Sequence, residues 1–278
     1  MTRAAAASSL NAMPRPPLVT APSLKIGRGV AEETRRAIPE ETAVALVFDG
    51  GTEAVMMATP ADLEDFALGF SLTEGIVADA KEIRGTDVVD VTDGVELRIW
   101  LTESCGAELA GRRRVRAGPT GCGLCGVESL AEALRPLPAV RSDLAVSADE
   151  IIAVVQELGV RQPLNARTHA VHAAALYVPG EGIVALREDV GRHNALDKLA
   201  GALARAQRRA SDGAVLMTSR VSVELVQKAA MIGAPILAAV SAPTALALRT
   251  AEAAGVTIVG VVRPDGLEVF TRRERIGR

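Results

Sequence analysis

The stretch AVLMTSRVSVELVQKAAMIGAPILAAVSAPTALALRTAEAAGVTIVGVV, residues 214–262, decides the fold. It reads as strand Ala214–Thr218, helix Val221–Ile232, strand Pro235–Ser241, helix Pro243–Ala254 and strand Val256–Val262. Short apolar runs bounded by turn residues alternate with segments of helical period, which predicts a layered α/β sheet with helices on its faces. Upstream, Val171–Val178 and Ile183–Leu186 read as strands joined at Pro179-Gly180, and a helix is expected from His193 to Gln207. Ser147-Ala148-Asp149-Glu150 has the form of a capping box and opens a helix that ends at Gly159.

The N-terminal half reads differently. Thr42–Phe48 and Thr52–Ala58 are apolar, β-branched runs joined by Asp49-Gly50-Gly51, a hairpin signal. A helix should start at Thr59-Pro60-Ala61-Asp62, with Thr59 as cap, Leu63, Phe66, Ala67 and Phe70 on one face, and Gly75 as its stop. A second hairpin turns at Asp93-Gly94, and Val95, Leu97, Ile99 and Leu101 alternate with polar or large outward residues. This makes a small α+β unit ending near Arg116. A glycine-rich loop carrying two cysteines follows, then a short helix at Val127–Leu134 and a linker at Pro136 and Pro138. The domain reading is a disordered Ala/Ser/Pro-rich leader over 1–39, a small α+β domain over 40–138 and an α/β domain over 139–278.

Composition narrows the function. The 278 residues are 49% hydrophobic but only 2% aromatic, and the formal net charge is -3. So few rings give single-stranded nucleic acid little to stack on, and near-neutral charge argues against nucleic-acid or membrane-surface binding. Three cysteines make no disulfide scaffold in a chain of this length. No signal-peptide core is evident, and the apolar run Ala229–Val240 is shorter than a membrane span, so a cytoplasmic protein is expected.

Cys122-Gly-Leu-Cys125 is the sharpest chemical feature. Two thiols at this spacing can share one tight turn, whose amides stabilise the nucleophilic thiolate. Such a thiolate can attack a sulfur donor, hold a persulfide and pass on the outer sulfur. The pair equally fits a dithiol-disulfide oxidoreductase, half a zinc site or a chance pairing. The other possible zinc ligands, His169 and His172, are tightly spaced and lie far along the chain, so no metal is expected. Cys105 stands apart and reads as a partly buried thiol. Arg112-Arg113-Arg114-Val115-Arg116 reads as a solvated loop edge, with docking of an acidic partner or a phosphate beside the cysteines as the alternative.

Glu188-Asp189, Thr218-Ser219-Arg220, Ser241 with Pro243-Thr244, and Arg263-Pro264-Asp265 each follow the carboxyl end of an expected strand. Open α/β sheets bind ligands outside those ends, and helix starts there favour anions such as phosphate. Each cluster alone reads as ordinary capping; the four together point to an anion crevice, with Arg220 and Arg263 as its cations.

Five segments carry a resemblance: 57–70 (MATPADLEDFALGF) with Thr73-Glu74-Gly75, 122–126 (CGLCG), 188–198 (EDVGRHNALDK), 219–226 (SRVSVELV) and 241–244 (SAPT). In them the chain resembles the formate dehydrogenase accessory sulfurtransferases, the FdhD family. The resemblance implies a C-terminal cytidine-deaminase-like three-layer domain without zinc chemistry, and a homodimer. It also implies receipt of sulfur from a cysteine desulfurase and transfer to the molybdenum bis(molybdopterin guanine dinucleotide) cofactor of formate dehydrogenase. It assigns the persulfide to Cys122; beside it, Cys125 reads as an assisting or resolving thiol. It assigns cofactor binding to Val261, Val262, Arg263, Pro264, Asp265 and Gly266, and a shared histidine to His193. Two departures stand out: Thr168-His169-Ala170 replaces a usual Thr-Gly-Gly, and Val261-Val262 lacks the usual aromatic before the arginine. The rival readings are the oxidoreductase and a non-catalytic cofactor chaperone.

Overall fold

The computed structural model describes residues 15–116 and 136–277. Strands β3 (Thr42–Phe48), β4 (Gly51–Ala58), β5 (Ile83–Val91) and β6 (Gly94–Leu101) form a sheet in the order β4-β3-β6-β5. The β3–β4 turn places Asp49 and Gly50 at positive φ, 45° and 82°, as a two-residue hairpin turn requires. Val44, Leu46, Phe48, Val95, Leu97 and Ile99 line one face and pack on Phe66, Ala67 and Phe70 of α1 (Leu63–Thr73). Gly75, at φ 64°, follows the end of α1, as expected.

The second sheet has the order β13-β12-β11-β10-β8-β9. Its strands are β8 (His172–Val178), β9 (Gly182–Asp189), β10 (Ala214–Met217), β11 (Ile236–Ala239), β12 (Thr257–Arg263) and β13 (Gly266–Val269). Period-two alternation sorts the strand side chains onto two buried faces. Leu176, Val215, Met217, Leu237 and Ile258 meet one group of helices, α5 (Arg192–Arg205), α6 (Val223–Met231) and α7 (Ala245–Ala254). Ala175, Tyr177, Leu216, Ile236 and Val259 meet α3 (Ala148–Val160) on the other. Three layers result. The expected capping box of α3 is present, with Ser147 accepting from Glu150 N and Glu150 accepting from Ser147 N. Short strands β7 (Val146–Ser147) and β14 (Ile276–Gly277) pair in parallel, and α4 (Pro163–Thr168) precedes β8.

Helix α1 crosses α5 with the two backbones in contact. A Cβ on Gly69 would fall 1.6 Å from Asp197 O, and one on Gly201 1.9 Å from Asp65 O, so only glycine allows this approach. Buried charges cluster beside the crossing. Lys198 Nζ, fully buried, donates to Asp189 Oδ2 at 2.6 Å and to Thr59 O at 2.8 Å. Lys228 Nζ reaches Asp197, Glu74 Oε1 at 2.6 Å and Thr73 Oγ1. Burial alone would lower the Lys228 pKa, but Asp197 and Glu74 outweigh it and hold the ammonium above its usual range. The lysines also lie over rings of the first unit, Lys198 at 5.9 Å from the Phe66 centroid and Lys228 at 5.3 Å from that of Phe70.

Three expectations need correction. The leader reading over 1–39 fails at residues 18–39, where β1 (Leu18–Gly27) and β2 (Val30–Pro39) form an antiparallel hairpin. Arg36 Nη2 ties that hairpin to Thr168 O at the end of α4. Residues 103–116, read as ending in a loop edge, form the helix α2 (Glu103–Arg116). Thr59 is not the cap of α1: Asp62 holds that position, and the buried Thr59 hydroxyl accepts from Val190 N instead. The run 112–116 is therefore helical rather than a loop. The expected helix Val127–Leu134 lies outside the described residues.

Candidate functional site

Strands β9 and β10 both run antiparallel to β8, and β11 and β12 run parallel to β10. The carboxyl ends of β9, β10, β11 and β12 therefore share one edge of the sheet, where β8 begins. His172, first in β8, pairs with Asp189, last in β9. Two loops and the end of β12 are stitched together at this edge: Val221 bridges to Pro243, Thr244 N donates to Val221 O at 3.0 Å, and Val261 N donates to Ser241 O at 3.3 Å. Thr244 also caps α7 by accepting from Ala247 N.

Of the four polar clusters, the first is committed to structure. Glu188 accepts from Leu164 N and Asn165 N, holding the first turn of α4. Asp189 is buried against Lys198 and accepts from Thr59 N, Gly191 N and Asn194 Nδ2. The other three line the edge.

His193, in the first turn of α5, places Nε2 3.3 Å from Ser222 Oγ and 3.2 Å from Glu224 Oε2. Ser222 donates to the same Glu224 oxygen at 2.8 Å. Burial, and then the charge of Arg192, hold the His193 pKa below the usual histidine range despite Glu224. His172 is lowered in the same way, by burial and then by Arg192. Both rings are thus neutral near pH 7, able to give one hydrogen bond and accept another.

Arg220 is exposed beside Ser219. Arg263, at the end of β12, folds Nη1 back onto Val240 O and Val262 O. Between them, Val261 holds φ 51° where the β12–β13 register shifts. For a β-branched residue this left-handed conformation costs roughly 1–3 kcal/mol, so surrounding contacts must hold it. Gly260 allows it: a Cβ there would sit 3.0–3.2 Å from Phe270, Pro243 and Ser241 O. Val262 is 3% exposed and belongs to the core, while Pro264 and Asp265 are exposed at the turn into Gly266. His169 ends α4 at φ 54°, a conformation that glycine adopts without strain.

Cys122 and Cys125 lie outside the described residues. Cys105 is buried, and burial followed by a hydrogen bond with Glu82 raises its pKa, which makes it a poor nucleophile. Two cavities, of about 340 and 380 Å³, have linings that contain none of the crevice residues. Among the described residues no helix is long and apolar enough to cross a membrane.

The sequence reading passed over Arg192. It lies between Gly191 and His193, and its visible signal was a cation in the first turn of a helix, where the dipole disfavours it.

A family model described as the FdhD/NarQ family matches residues 39–277. The chain belongs to the FdhD/NarQ family. Among similar relatives, a protein named sulfur carrier protein FdhD from Agrobacterium fabrum is 52% identical over 89% of this chain and 92% of its own length. One of the same name from Brucella abortus is 53% identical over 88% of this chain and 91% of its own. A crystal structure of a protein from Desulfotalea psychrophila, assigned as a formate dehydrogenase accessory protein, superposes with a TM-score of 0.72 at 27% identity. That match covers 94% of this chain and all of the other. The FdhD/NarQ match thus spans both sheets and the edge described above.

Proposed function

We propose that this FdhD/NarQ protein is a sulfur carrier and transferase required for formate dehydrogenase activity. Cys122 attacks the outer sulfur of a persulfide on a cysteine desulfurase. A new S–S bond forms at Cys122, the old one breaks, and the desulfurase cysteine leaves as a thiolate. The sulfur then passes to a molybdenum bis(molybdopterin guanine dinucleotide) cofactor, held as substrate at the strand-end edge by His193, Arg220 and the 261–266 segment. Cys125 assists or resolves the persulfide. The protein acts in the cytoplasm as a homodimer.

The observation that carries this reading is the likeness, over nearly the whole chain, to relatives named sulfur carriers. The convergence of cations and neutral histidines at one sheet edge supports an anionic cofactor there. With no aromatic at 261 or 262, ring stacking on guanine is absent at that point, and binding rests on hydrogen bonds and charge.

The test is intact mass after incubation with a desulfurase and cysteine. The wild type should gain one sulfur and Cys122→Ser none, and Cys122→Ser should fail to activate formate dehydrogenase. Full activation by Cys122→Ser would overturn the transferase mechanism.

A further inference from the structure

The arginines that tie the two units together are paired with acids. Asp65 holds Arg187 at 2.6 Å and Arg205 at 3.0 Å. Arg192 is different. Its Nε is buried with no hydrogen-bond partner, and no carboxylate pairs with its guanidinium among the described residues. Glu224, the acid whose titration registers the Arg192 charge, is engaged by His193 and Ser222. Asp189, three residues earlier, is taken up by Lys198.

A half-buried guanidinium without an acceptor is unfavourable, because its lost hydration is not replaced. Its position makes matters worse. Arg192 is the first residue of α5, a helix of 14 residues whose Gly191 N-cap makes no side-chain hydrogen bond, so the positive end of the helix disfavours a cation there. His172 and His193 lie close enough to feel its charge, and neither can supply a negative partner. Every one of these features is reversed by an anion: the guanidinium gains a bidentate partner, the helix start gains its favoured charge, and two neutral imidazoles can add hydrogen bonds.

We propose that Arg192 is the phosphate-binding residue of the strand-end edge, taking a diphosphate group of the bound ligand with His172 and His193 beside it. This rests on the reading of that edge as a nucleotide-type cofactor site, but moves the main charge contact away from Arg263. The Arg263 guanidinium already spends Nη1 on two carbonyls, whereas the buried Nε of Arg192 has no acceptor.

The experiment is isothermal titration of the full chain with GDP, guanosine and pyrophosphate, using wild type, Arg192→Met, Arg192→Lys and Arg263→Ala. Arg192→Met should weaken GDP and pyrophosphate about ten- to a hundredfold. It should leave guanosine unchanged, which also verifies that the variant is folded. Arg192→Lys should recover part of the loss, and Arg263→Ala should lose less than Arg192→Met. Unchanged GDP affinity in Arg192→Met overturns the assignment of Arg192, while the cofactor reading stands if Arg263→Ala weakens GDP. Binding of pyrophosphate through Arg192 without any GDP preference supports Arg192 and counts against the guanine reading. Binding of none of the three by wild type overturns both.

Discussion

Lys198 Nζ lies 2.6 Å from Asp189 Oδ2, with both side chains fully buried, and the same ammonium donates to the carbonyl of Thr59 in the other unit. One charge therefore joins the end of β9, the body of α5 and the entry to α1. Removing one partner of such a pair leaves the other buried and uncompensated. Lys198→Met should destabilise the fold by about 3–5 kcal/mol. Urea unfolding would measure it, and a loss under ~1 kcal/mol would mean that water or rearrangement replaces the lysine.

The α1–α5 crossing allows a paired test. Gly201→Ala would push a methyl within 1.9 Å of Asp65 O, against backbone that cannot swing aside. A loss of at least ~1–3 kcal/mol is expected from overpacking. Gly159→Ala, in α3 with open space around its Cβ position, should instead stabilise by about 0.5–1 kcal/mol. Similar effects at the two sites would show that the contact is not tight.

Acid should loosen the sheet edge. His172 has a folded pKa below the ordinary value of about 6.5, through burial and then Arg192. A depressed histidine contributes stability that is present above its unfolded pKa and is lost as pH falls through the folded one. The melting temperature should therefore drop as pH falls from 7.5 towards 5, and His172→Gln should flatten that part of the curve. An equally steep curve in the variant would assign the acid loss to other groups.

Cys105 should be silent. Its thiol is 8% exposed and its pKa is raised by burial. In a Cys122→Ser/Cys125→Ser chain, iodoacetamide at pH 8 should label nothing in the native protein and one site after unfolding. Rapid native labelling would restore Cys105 as a candidate nucleophile.

The strand and helix order of residues 171–262 was legible because short apolar runs, bounded by turn residues and buried on both faces, alternate there with segments of helical period. The β1–β2 hairpin was not. Its strands are exposed on both sides, with Leu24, Ile26 and Val30 open to solvent, so no period-two pattern separates an inner face from an outer one. Thr59 looked like a local cap because its sequence neighbours suit one; its partner is Val190, 131 residues away. The crevice was legible as a set of strand ends, yet which members stay free depends on distant pairing. Asp189 is consumed by Lys198 and Glu188 by α4, whereas Arg192 is left over, and no local pattern distinguishes those fates.

The glycine crossing has a further consequence for how this molecule can be cut or recombined. Residues 139–278 made alone would expose the flat flank of α5 around Gly201 and strip Lys198 and Lys228 of Thr59, Thr73 and Glu74. Residues 40–138 alone would leave Phe66 and Phe70 without the lysines above their rings. Neither half is a portable module. A chimera that exchanges one sheet between two such proteins must carry α1 and α5 across together, as a single inherited piece.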